Sequence, residues 1–158
     1  MPTAAVLTVS DSCFRGERTD LSGPATAELL RQHGFQVAPQ EIVPDDQAKI
    51  EAALVRLSEQ VQLVVTAGGT GIAERDVTPD ATRAVCSRLV EGIPEKIRAA
   101  GLAQTPFAVL SRGVCGVRGR SLILNLPGSP KGAVQSLQAV IDILPHAVDL
   151  LAGKTGHE

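Results

Sequence analysis

Three short, uninterrupted apolar runs constrain the fold of this chain more than any other feature of its sequence. The runs are AAVLTVS at 4–10, QLVVTA at 62–67 and SLILNLP at 121–127. Runs of this length without polar alternation are typical of strands buried on both faces of a parallel sheet. FAVLS at 107–111 predicts a further strand, and 35–44 predicts one at an edge or irregular position because it contains Pro39.

Helix signals alternate with these strands. Three predicted helices open on a hydroxyl side chain followed by a proline: Ser22 with Pro24, Thr78 with Pro79, and Ser129 with Pro130. A fourth helix begins after Asp45 or Asp46, a fifth covers about 93–104, and Pro145 should kink or split the last one. Strands alternating with helices predict an α/β fold, with a mostly parallel sheet covered on both faces, in one domain spanning 1–158.

Composition narrows the class of function. A formal net charge of −2 and an aromatic content of 2% argue against nucleic-acid binding. The cysteines at 13, 86 and 115 form no CxxC motif, which argues against a disulfide framework and against a zinc site. Three free thiols suit a reducing cytoplasm. The N-terminal run has no basic leader, and no apolar run approaches the ~20 residues of a membrane helix. We therefore expect a cytoplasmic protein without a membrane segment.

The predicted strands all end in loops of small, hydroxyl or acidic residues. The loops are SDS at 10–12, PDD at 44–46, AGGTG at 67–71, SRG at 111–113 and NLPGSPKG at 125–132. If the strands are parallel, these loops lie along one edge of the sheet, where open α/β sheets bind their ligands. This convergence predicts a binding site more strongly than any single motif.

Two of these loops are candidates for binding phosphate. Gly68, Gly69 and Gly71 would let backbone N–H groups form an anion nest, although a tight turn alone also explains GGTG. Lys131 lies in the first turn of a predicted helix, where a cation opposes the helix dipole unless it balances a bound anion. A solvated surface lysine is the alternative.

Two carboxylates, Asp45 and Asp76, each lie between a predicted strand and a predicted helix. Either could simply cap a helix, and one of Asp45 and Asp46 should do so. Asp76 fits that role less well because Thr78 is available as the cap. Carboxylates beside phosphate-binding loops repel phosphate unless a hard cation lies between them, and Mg²⁺ commonly takes one or two carboxylates plus phosphate oxygens. The pattern indicates metal-assisted phosphoryl or nucleotidyl transfer, which needs no protein nucleophile.

Several long stretches resemble the Mog/MoaB family of molybdopterin adenylyltransferases, whose module also forms the G domain of gephyrin. They are TAGGTGIAERDVTPDAT, LSRGVCGVRGRSLILNLPGSPKGA, VSDS, SGPATAELL and IVPDDQAKI. The resemblance covers almost the whole chain in order. It implies a three-layer α/β/α sandwich, a homotrimer, and Mg²⁺-dependent transfer of AMP from ATP to the terminal phosphate of molybdopterin. The product would pass to a molybdate-insertion protein.

The resemblance also implies roles for individual residues. It places the two essential aspartates, which would also hold the metal, at Asp45 and Asp76. It places the pterin and nucleotide contacts at Ser10, Asp11, Gly68, Gly69, Thr70, Gly71, Ser111, Asn125, Pro127, Gly128, Ser129, Pro130 and Lys131. Because few aromatic residues are available, we expect the adenine to rest on aliphatic walls.

Two other functions remain open from sequence. A non-catalytic pterin-binding or scaffold protein of the same family would bind pterin without consuming ATP. A generic α/β nucleotide-binding regulator would bind ATP without pterin affinity. The presence of both Asp45 and Asp76 favours the enzyme.

Overall fold

A six-stranded mixed sheet forms the centre of the protein in a computed structural model, which describes residues 1–154. The strands are β1 (Thr3–Val9), β2 (Gln36–Val43), β3 (Leu63–Ala67), β4 (Arg88–Leu89), β5 (Cys115–Arg118) and β6 (Ser121–Leu126). Their order across the sheet is β2-β1-β3-β6-β5-β4. The first four of these are mutually parallel, whereas β5 and β4 are antiparallel to their neighbours. The predicted α/β class and mostly parallel sheet are confirmed, and β2, which contains Pro39, is an edge strand as predicted.

Helices cover both faces of this sheet. They are α1 (Asp11–Phe14), α2 (Ser22–Gln32), α3 (Gln47–Ser58), α4 (Thr78–Val85), α5 (Gly92–Gly101), α6 (Pro130–Val140) and α7 (Leu144–Leu151). The last predicted helix is split into α6 and α7, with Pro145 in the first turn of α7. Within 1–154, no helix is both long enough and apolar enough to cross a membrane. The end of the predicted domain, 155–158, lies outside the described residues.

The core consists of two aliphatic layers, one on each side of the sheet. Helices α2, α5, α6 and α7 pack on one face, and α3 and α4 pack on the other. Successive residues of a strand face opposite layers: Ala4 and Val6 of β1 belong to the first layer, and Ala5 and Leu7 to the second. This arrangement confirms the three-layer α/β/α sandwich and explains why the central strands show no polar alternation.

The prediction of a strand at 107–111 is wrong. Pro106–Leu110 is a 3₁₀ helix whose N-cap, Thr105, accepts a hydrogen bond from the Phe107 N–H at 3.2 Å. Phe107 and Val109 are 73% and 61% exposed, so this apolar run is not buried. The next strand is β5 at Cys115–Arg118, which forms an antiparallel hairpin with β6. No prediction covered α1 or the two-residue strand β4.

The predicted helix caps are only partly correct. Asp46 and Ser129 cap α3 and α6, and each accepts a backbone N–H bond at 3.0 Å. Thr78 is instead the first helical residue of α4, and its buried hydroxyl has no hydrogen-bond partner among residues 1–154. Ser22 does not cap α2 either, because its hydroxyl donates to the Gly128 carbonyl at 2.5 Å. This bond joins α2 to the loop after β6.

A buried amide fastens the end of β6 to its surroundings. Asn125 is 4% exposed, and its Nδ2 donates to the hydroxyls of Thr66 and Thr82, each at 3.0 Å. Its Oδ1 accepts the Val114 N–H at 3.1 Å. One side chain therefore joins β6 to β3, to α4 and to the segment that leads into β5.

We expect Asn125→Ala to lower the free energy of unfolding by about 2–4 kcal/mol, because it leaves the buried Val114 N–H and Thr66 hydroxyl without these partners. Gln32→Ala removes an exposed amide from α2 and should change it by less than about 0.5 kcal/mol. Urea denaturation of both variants measures the difference. Equal losses in the two variants would contradict this role for Asn125.

Candidate active site

The site lies at the edge of the sheet where β1, β2, β3 and β6 end. The loops after these strands contact one another: the Ser10 N–H donates to the Val43 carbonyl and the Gly68 N–H to the Leu126 carbonyl, each at 3.0 Å. The antiparallel strand β5 begins at this same edge. Ser111 therefore reaches the site before the start of a strand, not after the end of one as the sequence predicted.

The glycine loop after β3 needs its glycines for steric reasons. Gly68 and Gly69 have φ values of +110° and +68°, in the region that L side chains rarely adopt. A Cβ at Gly68 would also overlap the Val9 carbonyl oxygen, and one at Gly128 would lie 3.3 Å from the Gly68 Cα. Backbone geometry and close contact therefore require glycines at 68 and 69, in addition to any part that the loop takes in binding.

Asp45 and Asp11 hold each other in place across two loops. The Asp11 N–H donates to Asp45 Oδ2 at 3.1 Å, and the Asp45 N–H donates to Asp11 Oδ1 at 2.8 Å. Burial raises the pKa of the Asp45 carboxyl, and the negative charges of Asp11 and Asp76 raise it further. The N–H of Asp11 and the charge of Arg75 act in the opposite direction. Asp46 supplies the cap of α3, so Asp45 is not needed for that role.

Asp76 is oriented by a turn within its own loop. Its Oδ2 accepts the Ala73 N–H at 3.0 Å, and its own N–H donates to the Ala73 carbonyl at 2.9 Å. A Cβ added at Gly71 would lie 2.8 Å from Asp76 Oδ2, so the carboxylate packs directly on the glycine loop. A Cβ added at Gly69 would lie 3.3 Å from Asp45 Oδ1. Asp45 and Asp76, predicted from different crossovers, thus flank one glycine loop.

Arg75 supplies positive charge at this cluster of carboxylates. Its guanidinium pairs with Asp11, and its side chain is 67% exposed whereas that of Asp11 is 16% exposed. No role was predicted for Arg75 from the sequence. Its contact is with a residue 64 positions away, which no local pattern indicates.

The carboxylates of Asp45 and Asp76 suit a hard divalent cation only when a bound ligand adds further oxygen atoms. Within 1–154, no group of three or more His, Cys, Asp or Glu side chains forms a metal cage. Asp45 and Asp76 offer carboxylate oxygens beside a glycine loop without side-chain bulk, which matches the one or two carboxylates that Mg²⁺ takes in phosphate sites. The residues therefore fit a cation shared with phosphate oxygens.

The start of α6 is the second predicted phosphate contact. Ser129 caps the helix by accepting the Gly132 N–H at 3.0 Å, and Lys131 is exposed in the first turn beside Pro130. A Cβ at Gly132 would lie 2.6 Å from the Ser129 hydroxyl, so close contact of this cap also requires a glycine. Lys131 and the Ser129 hydroxyl therefore both belong to the N-terminal end of α6, where the helix dipole is positive.

An open cleft of about 610 Å³ adjoins these loops, between α5, the 3₁₀ helix and α6. Gly71, Ser111, Pro127 and Ser129 line its end near the carboxylates. Its apolar walls include Phe107, so an aromatic ring is present where the sequence led us to expect only aliphatic walls.

Several residues predicted to contact the ligand already form hydrogen bonds within the protein. Ser10 caps α1 and accepts the Cys13 N–H at 3.2 Å, and Ser111 accepts the Gly113 N–H at 3.3 Å. Thr70 is 7% exposed, and its carbonyl accepts the Arg112 N–H at 2.7 Å. The Asn125 side-chain amide forms its hydrogen bonds within the protein, so the structure gives it the role of joining β6 to its neighbours. A direct ligand contact by any of these four side chains stays a prediction.

Three side chains for which no role was predicted from the sequence form hydrogen bonds to the segments around the site. Asp20 accepts the Thr8 hydroxyl at 2.7 Å and the Gly23 N–H at 3.0 Å. Arg98 of α5 donates to the Gly113 carbonyl at 3.1 Å, and Arg112 contacts both Asp76 and Asp80. The motif SRG contained Arg112, but its partners are 32 and 36 positions away.

Comparison with known proteins gives consistent results. The family model described as a probable molybdopterin binding domain matches residues 5–146. The molybdopterin adenylyltransferase of Helicobacter pylori strain J99 is 43% identical over 152 residues, which cover 94% of this chain and 86% of that protein. The enzyme of the same name from Escherichia coli K12 is 38% identical over 165 residues, with coverages of 94% and 84%.

A solved structure supports the same assignment. The crystal structure of the molybdopterin biosynthesis enzyme MoaB from Thermus thermophilus is 52% identical, covers 98% of both chains and superposes with a TM-score of 0.92. The resemblance found in the sequence motifs is thereby confirmed. This chain belongs to the molybdopterin-binding domain family of the Mog and MoaB proteins.

Proposed function

We propose that this chain is a molybdopterin adenylyltransferase, which transfers AMP from ATP to the terminal phosphate of molybdopterin. The observation that carries the proposal is that the carboxylates of Asp45 and Asp76 both lie against one glycine loop. The names of the Helicobacter and Escherichia relatives support it. The direct test is to incubate the protein with ATP, Mg²⁺ and molybdopterin and to look for adenylated pterin and pyrophosphate.

The reaction needs positioning and charge neutralisation more than protein nucleophilicity. An oxygen of the pterin phosphate forms a bond to the α-phosphorus of ATP, and the bond from that phosphorus to the bridging oxygen of pyrophosphate breaks. The N–H groups of the glycine loop, the N-terminus of α6 and Lys131 hold the phosphates while their charge shifts. No described serine is needed as an attacking group.

Asp45 and Asp76 are the residues that would hold Mg²⁺, with phosphate oxygens completing its coordination. Bound there, the ion would neutralise charge on the triphosphate as pyrophosphate departs. The raised pKa of Asp45 has burial as its main cause and the neighbouring negative charges as a lesser one, and a bound cation would lower that pKa by stabilising the charged carboxylate. The reciprocal Asp11–Asp45 hydrogen bonds keep the second carboxylate in place before ligand arrives.

The cleft beside the carboxylates is the proposed site for the organic part of a substrate. Its apolar walls suit a planar ring, and Ser111 and Ser129 supply polar groups at the end nearest Asp76. Gly71 lines the cleft and also lies against the Asp76 carboxylate, so the glycine loop would contact both substrates.

The assembly and cellular context are further parts of the proposal. The family resemblance implies a homotrimer, and Val109, which is 61% exposed and does not line the cleft, is the candidate contact between copies. We propose a cytoplasmic protein that passes its product to a molybdate-insertion protein.

We expect Asp76→Asn to reduce kcat by about 100-fold or more, because it removes metal-binding charge worth several kcal/mol in the transition state. Pterin binding, measured by fluorescence titration, should remain. Asp46→Asn is the matched control: it changes a neighbouring acidic position but keeps a residue type that caps α3 equally well. Wild-type protein that binds pterin and never consumes ATP would instead support a non-catalytic scaffold.

Lys131→Met should weaken phosphate-dependent substrate binding roughly tenfold, which corresponds to one hydrogen bond to a charged group. The thermal midpoint should stay the same or rise, because a cation at a helix N-terminus costs about 0.3–1 kcal/mol. Lys96→Met, on the exposed side of α5, serves as the control. Unchanged affinity for both substrates would remove Lys131 from the site.

Light scattering should give the wild-type protein three times the chain mass of 16.4 kDa. Val109→Asp should lower the mass at the same concentration, because it places a charge in the proposed apolar contact. A wild-type mass of a single chain would contradict the trimer without affecting the chemistry proposed above.

A further inference from the structure

Arg112 is bound to three separate parts of the structure. It lies between the 3₁₀ helix and β5, and its backbone N–H donates to the Thr70 carbonyl at 2.7 Å. Its Nη1 donates to the Asp76 carbonyl at 3.0 Å, and its Nη2 contacts the two carboxylate oxygens of Asp80 at 2.8 and 2.9 Å. One residue therefore holds Thr70, Asp76 and the first turn of α4.

Thr70 and Asp76 both belong to the loop between β3 and α4, residues 68–77, and Asp76 is the carboxylate of this loop that faces the glycines. Within this loop, Ala73 and Asp76 form the turn that orients the Asp76 carboxylate. That turn fixes the carboxylate relative to its own loop, whereas Arg112 fixes the loop relative to α4 and β5. The position of the Asp76 side chain in the site therefore depends on both.

We propose that Arg112 is a positioning residue for adenylyl transfer. It holds the Asp76 carboxylate at a fixed position relative to the glycine loop. The inference rests on the proposed function and extends it to a side chain whose hydrogen bonds go to the Asp76 carbonyl and the Asp80 carboxylate. Asp80 acts through Arg112, because its carboxylate engages the same guanidinium that donates to the Asp76 carbonyl.

The geometry explains why an arginine occupies this position. A guanidinium presents several donors in one plane, so Nη1 engages a carbonyl while Nη2 engages a carboxylate. An ammonium group on a flexible stem does not fix both partners at once. The Arg112 and Asp80 side chains are 39% and 41% exposed, and an ion pair this accessible adds little to global stability. A purely structural role therefore predicts a small effect on stability and none on catalysis.

We expect Arg112→Lys to lower kcat by roughly 10- to 100-fold, because a displacement of about 1 Å at a reacting group has effects of that size. The KM for ATP and the thermal midpoint should change little, and the Mg²⁺ concentration for half-maximal activity should rise. Asp80→Asn should act in the same direction, and the double variant should lose no more than Arg112→Lys alone, because both changes break one contact.

Arg118→Lys is the matched control. Arg118 is also a half-buried arginine that donates from Nη1 to a backbone carbonyl, that of Val85 at 2.9 Å. It lies at the opposite end of β5. We expect its kcat and its Mg²⁺ dependence to match those of the wild type.

Hydrogen exchange gives a second readout that does not require activity. The amides of 70–76 should exchange faster in Arg112→Lys than in wild type, while amides of β1 and β3 stay protected. Wild-type turnover with an unchanged kcat in Arg112→Lys would overturn the inference and leave the proposed function intact. If the wild type forms no adenylated pterin, the proposed function fails, and unchanged exchange at 70–76 would overturn the positioning role as well.

Discussion

The close contact between the loop after β3 and the end of β1 is the constraint on which the rest of the site depends. Gly68 adopts a positive φ with its Cα against the Val9 carbonyl, and Gly128 lies against Gly68 from the other side. Three strand ends meet with almost no side-chain volume between them. This close contact brings Asp45 and Asp76 to a common loop and leaves backbone N–H groups at the rim.

The acidic cluster illustrates how the fold holds groups that repel each other. Asp11 and Asp45 exchange backbone N–H bonds, so each loop supplies the other with a donor. The pKa of Asp45 is nevertheless raised, with burial as the main cause and the nearby carboxylates as a lesser one. Arg75 offsets part of this charge by pairing with Asp11. Such an arrangement costs stability when empty and favours a ligand that brings positive charge or a bound cation.

Local patterns predicted the buried strands, the glycine turns and the split between α6 and α7 at Pro145. The 3₁₀ helix at Pro106–Leu110 escaped prediction because five apolar or small residues fit a strand as well as a helix, and their exposure is not encoded locally. Ser111 was nevertheless placed at the correct edge, because β5 runs antiparallel and starts where the other strands end. The cross-links made by Asn125 and Arg112 depend on partners distant in sequence, so they require the completed tertiary structure.

The order of strands in the sheet has a consequence for how binding ability arises as the chain folds. The rim draws on segments from Ser10 to Lys131, and β6, the sixth strand in the chain, inserts between β3 and β5 at the middle of the sheet. An N-terminal fragment that stops before β6 therefore has the glycine loop but lacks the neighbour that supports it. Substrate binding therefore requires the chain as far as α6, and a ligand that binds only the completed site stabilises the whole molecule through mass action.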